Sequence, residues 1–261
     1  MKRFINDTKK YYRYSLYSAK AYLKDEVASS YLNWLWWVLD PIFLMFIYMF
    51  IFTVVFPTGS EPIFPAFIFL GLTLWQFFEK TTSQSVRLVR NNKGIVTKVY
   101  IPKFILLMIT MMKNGFKMVI SFAIVIVLMI FYKVPPNLNM LWILLVMLTL
   151  FIVTFACGTV LMHFGVFVDD LANVVKIVLR ILFYMTGIFY SVPTRIPKPY
   201  GWWALRINPI ALVLQSGREC LLYNKTPDVK WLIYWIIVGI AVAIIGVSTI
   251  YKNENGYAKV V

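Results

Sequence analysis

The 261 residues of this chain are 61% hydrophobic and 14% charged, whereas an average soluble domain has roughly 45–50% apolar and about 25% charged residues. Because the apolar residues form long uncharged runs, the composition excludes an ordinary soluble domain and predicts an integral membrane protein. The net charge of +15 lies mostly beside those runs, so we expect it to set topology and bind anionic lipids, with no nucleic-acid partner.

Residues 1–35 precede the first apolar run and predict an amphipathic helix in the plane of the lipid headgroups. An apolar stripe and a basic row follow helical spacing here: Tyr12, Leu16, Ala19, Leu23 and Val27 in the stripe, and Arg13, Lys20 and Lys24 in the row. The helix either only anchors the orientation of the chain or also holds the head of an anionic lipid near an entrance.

Residues 36–261 predict an all-α domain of six transmembrane helices, since about 20 apolar residues are needed for each crossing. The expected spans are about 36–56, 62–80, 104–132, 140–164, 177–192 and 231–251. Seven basic residues in 1–35 and six in 80–103 predict that both termini are cytoplasmic.

The segment 91–103, between the second and third spans, is basic, and its apolar residues Ile95, Val96 and Val99 fall at helical spacing on one side. We interpret it as a cytoplasmic coupling helix that docks on a partner. The predicted contact residues are Asn92, Lys93, Ile95, Val96, Lys98, Val99 and Tyr100.

Lys113 and Lys117 share one face of the third span because they are four residues apart. A charge within the bilayer is costly unless it reaches water or a partner. The two lysines either extend to the cytosolic headgroups or line a path for an anionic substrate, which Arg180 in the fifth span would join.

Several aromatic residues lie within or at the ends of spans and either pack and form interfacial belts or offer a stacking surface to sugar rings. Those assigned to a substrate path are Tyr48, Trp75, Phe78, Tyr184 and Tyr190.

The outer stretch 193–230 carries six basic residues, against the positive-inside rule. Because it is also rich in apolar residues, we expect two short helices that re-enter the outer leaflet. The break between them is placed at Asn208-Pro209, since proline cannot continue a helix.

Motifs for bound cofactors are missing from the sequence. It has no GxxxxGK[ST], HExxH or GxSxG, and its Cys157, Cys220 and His163 are too few and too scattered for a zinc site. We therefore expect no cofactor on this chain. Asp169-Asp170 is the one paired carboxylate that a membrane-embedded, lipid-linked transferase could use.

Three features together resemble the membrane subunits of ABC exporters of the type-2 permease class, in the branch that exports O-antigen, capsule and teichoic acid. The first is the basic N-terminus that enters span one through Asn33-Trp34-Leu35, and the second is the segment 92–102. The third is the order Gly187-Ile188-Phe189-Tyr190-Ser191, then Asn208-Pro209, then Arg218, then Leu221-Leu222.

The resemblance implies a homodimer in the bacterial cytoplasmic membrane that works with two copies of a cytoplasmic ABC ATPase, which bind ATP and Mg²⁺. It implies a channel at the dimer interface for a lipid-pyrophosphate-linked glycan, or for a teichoic acid with a polyol-phosphate repeat. The permease itself is not an enzyme, and Asn208, Pro209 and Arg218 belong to its structural signature. The lysine pair in span three departs from the family pattern.

Alternative functions stay open at this level. They are an ABC permease for another lipid or drug-like substrate, the transferase, and a channel or secondary transporter.

Overall fold

A computed structural model describes residues 2–28, 31–55, 63–197 and 199–260, and within these ranges every regular element is helical. The first half contains α1 (Lys2–Ala28), α2 (Trp36–Phe50), α3 (Phe64–Val86), α4 (Leu88–Asn91), α5 (Lys93–Val96) and α6 (Lys103–Phe131). The second half contains α7 (Ile143–Phe167), α8 (Leu171–Met185), α9 (Val192–Arg195), α10 (Tyr200–Ile207), α11 (Pro209–Leu221) and α12 (Val229–Val260).

Four segments of the described chain are long and apolar enough to cross a bilayer: Trp36–Val54, Lys103–Phe131, Leu138–Phe167 and Val229–Lys252. They confirm an all-helical membrane protein and correspond to predicted spans one, three, four and six. α3 is long enough but carries polar residues in its second half. The total of six spans therefore stays a prediction.

The predicted fifth span differs from the helix that forms. α8 begins at Leu171 and ends at Met185, whereas the expected span covered 177–192. The helix stops early because Gly187, with a φ of 72°, turns the chain in the left-handed region that favours glycine. Its 15 residues extend about 22 Å, less than the hydrocarbon thickness of about 30 Å.

α3 occupies the centre of the molecule and contacts α2, α6, α7, α8 and α11. Its first half, from Ala66 to Trp75, is buried on every side. The helix therefore has no solvated stripe, as expected of a core helix. A hydroxyl inside it, that of Thr73, is satisfied by donating to the carbonyl of Phe69 at 2.8 Å.

α7 and α12 form an extensive helix pair, in which small residues let the two backbones approach. A methyl group on Gly246 of α12 would lie 2.3 Å from Thr159 Oγ1 and 2.8 Å from Thr159 Cβ in α7. The contact therefore requires glycine.

The two helices α10 and α11 meet at Asn208-Pro209, the predicted break. The Asn208 side chain accepts hydrogen bonds from the backbone N–H groups of Ile210 at 3.0 Å and Ala211 at 3.3 Å. Pro209 occupies the first helical position, where its missing N–H costs nothing. The depth of these helices in the membrane stays a prediction.

The α7–α12 contact predicts that Gly246→Ala lowers thermal stability, because overpacking costs about 1–3 kcal/mol. The measurement is the temperature at which half of the detergent-purified protein ceases to be monodisperse. The matched control is Gly256→Ala in the same helix, whose methyl group meets no atom of the described residues within 4 Å. Equal midpoints for the two variants would contradict this account of the packing.

Candidate functional site

The α4–α5 segment, residues 87–102, links α3 to α6 and exposes a short stretch of chain. Local hydrogen bonds shape it: the N–H of Val96 donates to the carbonyl of Asn92 at 3.0 Å, and the N–H of Val99 donates to that of Ile95 at 2.9 Å. Lys93, Lys98 and most of their neighbours are exposed. The segment therefore offers both charge and apolar surface to a partner.

The predicted apolar side of this segment is divided by the fold. Val96 is buried, with 7% of its surface exposed, whereas Val99 is 56% exposed, and Ile95 is half-buried. The helix ends at Val96, and a further hydrogen-bonded turn carries the chain to Val99. A partner would reach Ile95 and Val99, while Val96 contributes to the core. Whether these residues bind a partner stays a prediction.

Tyr100, at the end of the segment, joins three distant parts of the chain. Its hydroxyl accepts a hydrogen bond from Arg3 Nη2 at 2.6 Å and donates one to Glu254 Oε2 at 3.0 Å. The Tyr11 hydroxyl donates to the Tyr100 carbonyl at 3.3 Å. We call Arg3, Tyr100 and Glu254 the terminal junction, because they connect α1 and α12 to the α4–α5 segment.

Electrostatics keep the phenols at this end protonated. Desolvation, followed by the hydrogen bond to Glu254, raises the pKa of Tyr100. Desolvation and the nearby Glu254 raise the pKa of Tyr257 to about 12. The Tyr257 hydroxyl lies 2.6 Å from His163 Nδ1 and remains available as a donor.

A second contact joins α1 to the segment. The Tyr22 hydroxyl donates to Asn92 Oδ1 at 2.7 Å, and Asn92 Nδ2 donates to the carbonyl of Leu88 at 2.8 Å. Tyr22 lies in the last two turns of α1. The N-terminal helix therefore holds the segment at both of its ends.

The paired carboxylates Asp169-Asp170 lie at the end of α7, where Asp169 forms an ion pair with Arg90 of α4. Arg90 Nη2 also donates to the carbonyl of Val166 at 2.7 Å. No group of three histidine, cysteine or acidic side chains that could hold a metal ion occurs among the residues with described positions. Asp169 of this pair thus has a structural partner in Arg90.

The two span-three lysines have different surroundings. Lys117 forms an ion pair with Glu26 of α1 and lies 5.7 Å above the ring of Trp37. Lys113 lines a cavity of about 300 Å³ beside Tyr22. The predicted third cation, Arg180, lies on the exposed side of α8, which packs on α3. Whether Arg180 lines a common path with the two lysines stays a prediction.

The aromatic residues assigned to a substrate path separate into two groups. Trp75 and Phe78 are only 3% and 5% exposed, so within one chain they are core residues. Tyr48 contacts the ring of Phe189 at 4.4 Å. Tyr184 is 61% exposed, and its carbonyl accepts a hydrogen bond from the Tyr190 hydroxyl at 3.1 Å. Their role in transport stays a prediction.

Arg218, predicted as a signature residue, is 1% exposed in α11. Its guanidinium donates to the carbonyls of Phe67 at 3.3 Å, Gly187 at 2.7 Å and Ile188 at 2.8 Å. It also lies 3.5 Å above the Phe67 ring. A methyl group on Gly71 would lie 2.5 Å from Arg218 Nη2, so glycine leaves room for the arginine.

Sequence reasoning missed four residues that organise this region: Arg3, Tyr22, Glu26 and Glu254. Each meets its partner across at least 70 positions of sequence. The only signal was an acidic residue inside a mainly basic terminal region, as for Glu254 between Lys252 and Lys259.

Comparison with known proteins shows the family of the chain. The profile of the ABC-2 type transporter family matches residues 17–222. The chain is similar to a Klebsiella pneumoniae protein named O-antigen export system permease protein RfbA, with 27% identity over 239 residues and 91% of each chain covered. A Myxococcus xanthus protein of the same name is 26% identical over 233 residues, with 89% of each chain covered.

The carbonyl contacts of Arg218 predict that Arg218→Met destabilises the protein by about 3 kcal/mol or more, because buried carbonyls lose their donors. Arg218→Lys should keep part of the stability, since an ammonium can satisfy some of the three carbonyls. Thermal midpoints in detergent measure both. Arg180→Met, at an exposed position of α8, is the control and should change little; an equal loss there would refute the explanation.

Proposed function

Since this chain belongs to the ABC-2 type transporter family, we propose that it is the transmembrane subunit of an exporter that moves a lipid-pyrophosphate-linked cell-surface polysaccharide across the bacterial cytoplasmic membrane. Its relatives carry the name of O-antigen export permeases. Those permeases are not catalytic by themselves, and the sequence contains no GxxxxGK[ST] loop for ATP phosphates. ATP and Mg²⁺ are assigned to two copies of a separate ATPase subunit.

The observation that carries the proposal is the anchoring of the α4–α5 segment. Its outer part is exposed, while Tyr100 and Asn92 attach it to both terminal helices. Force applied to the segment therefore reaches α1 and α12, in addition to its covalent neighbours α3 and α6. This is the arrangement that an ATPase acting from outside the membrane domain requires.

Charge supports an orientation with both termini in the cytoplasm. Arg218 and Arg206 in the stretch 193–230 are engaged within the protein. Arg218 is buried among carbonyls, and Arg206 lies 3.3 Å above the Trp202 ring and forms an ion pair with Asp228 at 3.7 Å. The conflict with the positive-inside rule is therefore smaller than the sequence suggests.

A second copy of the chain would complete the path along which the polysaccharide crosses the membrane. α2 and α8 expose large apolar and aromatic side chains, including Phe46, Phe50, Ile181 and Tyr184. We assign these faces to the dimer interface and the polysaccharide corridor. A corridor with aromatic walls suits a long polymer, because weak stacking holds each ring without stopping its movement.

The cargo is proposed as a polysaccharide on a polyprenyl pyrophosphate carrier, with a teichoic acid or related polyol phosphate as the finer possibility. The names of the relatives favour a polysaccharide. Lys113 and Lys117 in α6 favour a cargo with negative charge. The alternative cargo is another lipid or a drug-like molecule. A binding assay that compares such molecules with the lipid-linked glycan separates the two: under the alternative, only the lipid or drug-like molecule binds.

The exposed part of the segment predicts that Ile95→Glu combined with Val99→Glu abolishes co-purification with the ATPase while the permease stays folded. A buried apolar contact in a partner's cleft cannot accommodate two carboxylates. The control is Leu138→Glu, which adds a charge at a residue 81% exposed at the very start of the apolar segment Leu138–Phe167, distant in sequence from the α4–α5 segment. Retention of the ATPase by the double variant would refute the docking assignment.

The terminal junction predicts a different effect for Tyr100→Phe, which removes a hydroxyl that bonds to Arg3 and Glu254 but keeps the ring. The ATPase should still co-purify, whereas export per ATP hydrolysed should fall several-fold. Reconstituted vesicles with labelled cargo measure both quantities. The control is Tyr12→Phe on an exposed part of α1; if both variants export at the wild-type rate, the junction does not transmit force.

A further inference from the structure

A polar cavity of about 220 Å³ lies between the end of α1, the start of α2 and the middle of α3 and α6. Its walls include Asp40, Gln76, Lys80, Asn114 and Lys117. Polar and charged groups at this position in an apolar bundle are costly unless they serve a partner. The cavity therefore has the chemistry of a binding site.

Two ion pairs border the cavity. Lys117 binds Glu26 of α1, and Lys80 Nζ lies 3.5 Å from Asp40 Oδ2 of α2. The Glu26 side chain is 43% exposed and that of Asp40 is 55% exposed, whereas that of Lys117 is 17% exposed. Because exposed ion pairs are weak, the carboxylates can move into water while Lys117 stays in the cavity.

Asn114 adds a buried acceptor to the same wall. Its Nδ2 donates to Thr81 Oγ1 at 3.0 Å and to Gln84 Oε1 at 3.3 Å. The residue is 3% exposed, and its Oδ1 has no hydrogen-bond partner within the part of the chain that the structure describes. An orphaned buried acceptor calls for a donor, which an ionised phosphate does not supply, so Asn114 would bind a hydroxyl of the head group and leave the phosphate to the lysines.

The ion pair at Lys117 also controls the end of α1. Glu26 and Tyr22 are four residues apart on that helix, so they share one face. Tyr22 holds Asn92 of the α4–α5 segment at 2.7 Å. Release of Glu26 therefore frees the helix turn that contacts the segment.

We propose that this cavity binds the phosphate group of a membrane lipid, which displaces Glu26 from Lys117 and Asp40 from Lys80. Occupancy reaches the α4–α5 segment through Tyr22. The lipid is either the polyprenyl carrier of the cargo or a bulk anionic phospholipid, since both present the same phosphate chemistry. Only the identification of that lipid as the carrier rests on the proposed function.

The test measures lipid binding to the full chain in phosphatidylcholine nanodiscs by native mass spectrometry, with polyprenyl phosphate in one series and phosphatidylglycerol in another. Lys117→Gln should weaken binding about tenfold, the size expected for one charge-assisted contact. Glu26→Gln should strengthen binding, because it removes the competing carboxylate. A purely structural ion pair would make both variants change binding in the same direction.

Lys80→Gln and Asp40→Asn repeat the test independently and keep it decisive if a Glu26 variant fails to fold. Lys225→Gln, at an exposed position between α11 and α12 and outside the cavity, is the matched charge control. If the lysine variants bind polyprenyl phosphate more weakly and the carboxylate variants bind it more tightly, the cavity is a site for the carrier lipid. If these opposite changes in affinity occur with phosphatidylglycerol alone, the cavity is a site for bulk lipid. Both results support the proposal. Unchanged binding in Lys117→Gln and Lys80→Gln, or weaker binding in both Glu26→Gln and Asp40→Asn, would overturn it.

The transmission of cavity occupancy through Tyr22 to the α4–α5 segment, which we call the relay, is tested in the complex of permease and ATPase. Tyr22→Phe should leave lipid binding unchanged and abolish the stimulation of ATP hydrolysis by polyprenyl phosphate, or by phosphatidylglycerol if that lipid binds. Retained stimulation would overturn the relay. Because the binding series contains neither ATPase nor polymer, failure of the proposed export function would appear separately, as absence of ATP-dependent cargo transport in vesicles.

Discussion

A buried backbone N–H or C=O needs a hydrogen-bond partner, and Arg218 meets this demand where α8 ends and α11 packs on α3. α8 ends at Met185, and the left-handed turn at Gly187 leaves carbonyls without helical donors. The Arg218 guanidinium supplies donors to Gly187, Ile188 and Phe67. One buried side chain thus fixes α11, the end of α8 and the start of α3, the helix on which the core is built.

The opposite requirement, that parts of the molecule move, is met by weaker contacts at the other end of α3. The terminal junction and the Tyr22–Asn92 bond are polar and partly exposed. Such contacts transmit a displacement but contribute little to stability, because water competes for them. A rigid region around Arg218 and an adjustable region around the α4–α5 segment together suit a membrane domain that is driven by another polypeptide.

The N-terminal helix has a larger role in this arrangement than an amphipathic pattern suggests. Its basic row predicts contact with lipid headgroups, and the structure adds intramolecular partners that include Tyr100, Asn92 and Lys117. α1 therefore lies between the lipid surface, the polar cavity and the α4–α5 segment. A helix in that position can respond to lipid and act on the α4–α5 segment at the same time. This is the physical basis for the proposal that binding of a lipid phosphate in the cavity affects the segment.

The sequence alone was sufficient for the all-helical membrane class, four helical segments long and apolar enough to cross a bilayer, the N-terminal helix and the break at Asn208-Pro209. Hydropathy, periodicity and proline act over a few neighbouring residues, so a local pattern records them. It placed the fifth span wrongly and gave Val96 to an exposed face, since the end of α8 and the orientation of Val96 depend on the surrounding fold. Only the tertiary structure decided which charges meet. Arg3 and Glu254 lie at opposite ends of the chain, and no local pattern in a sequence records a contact that folding alone creates.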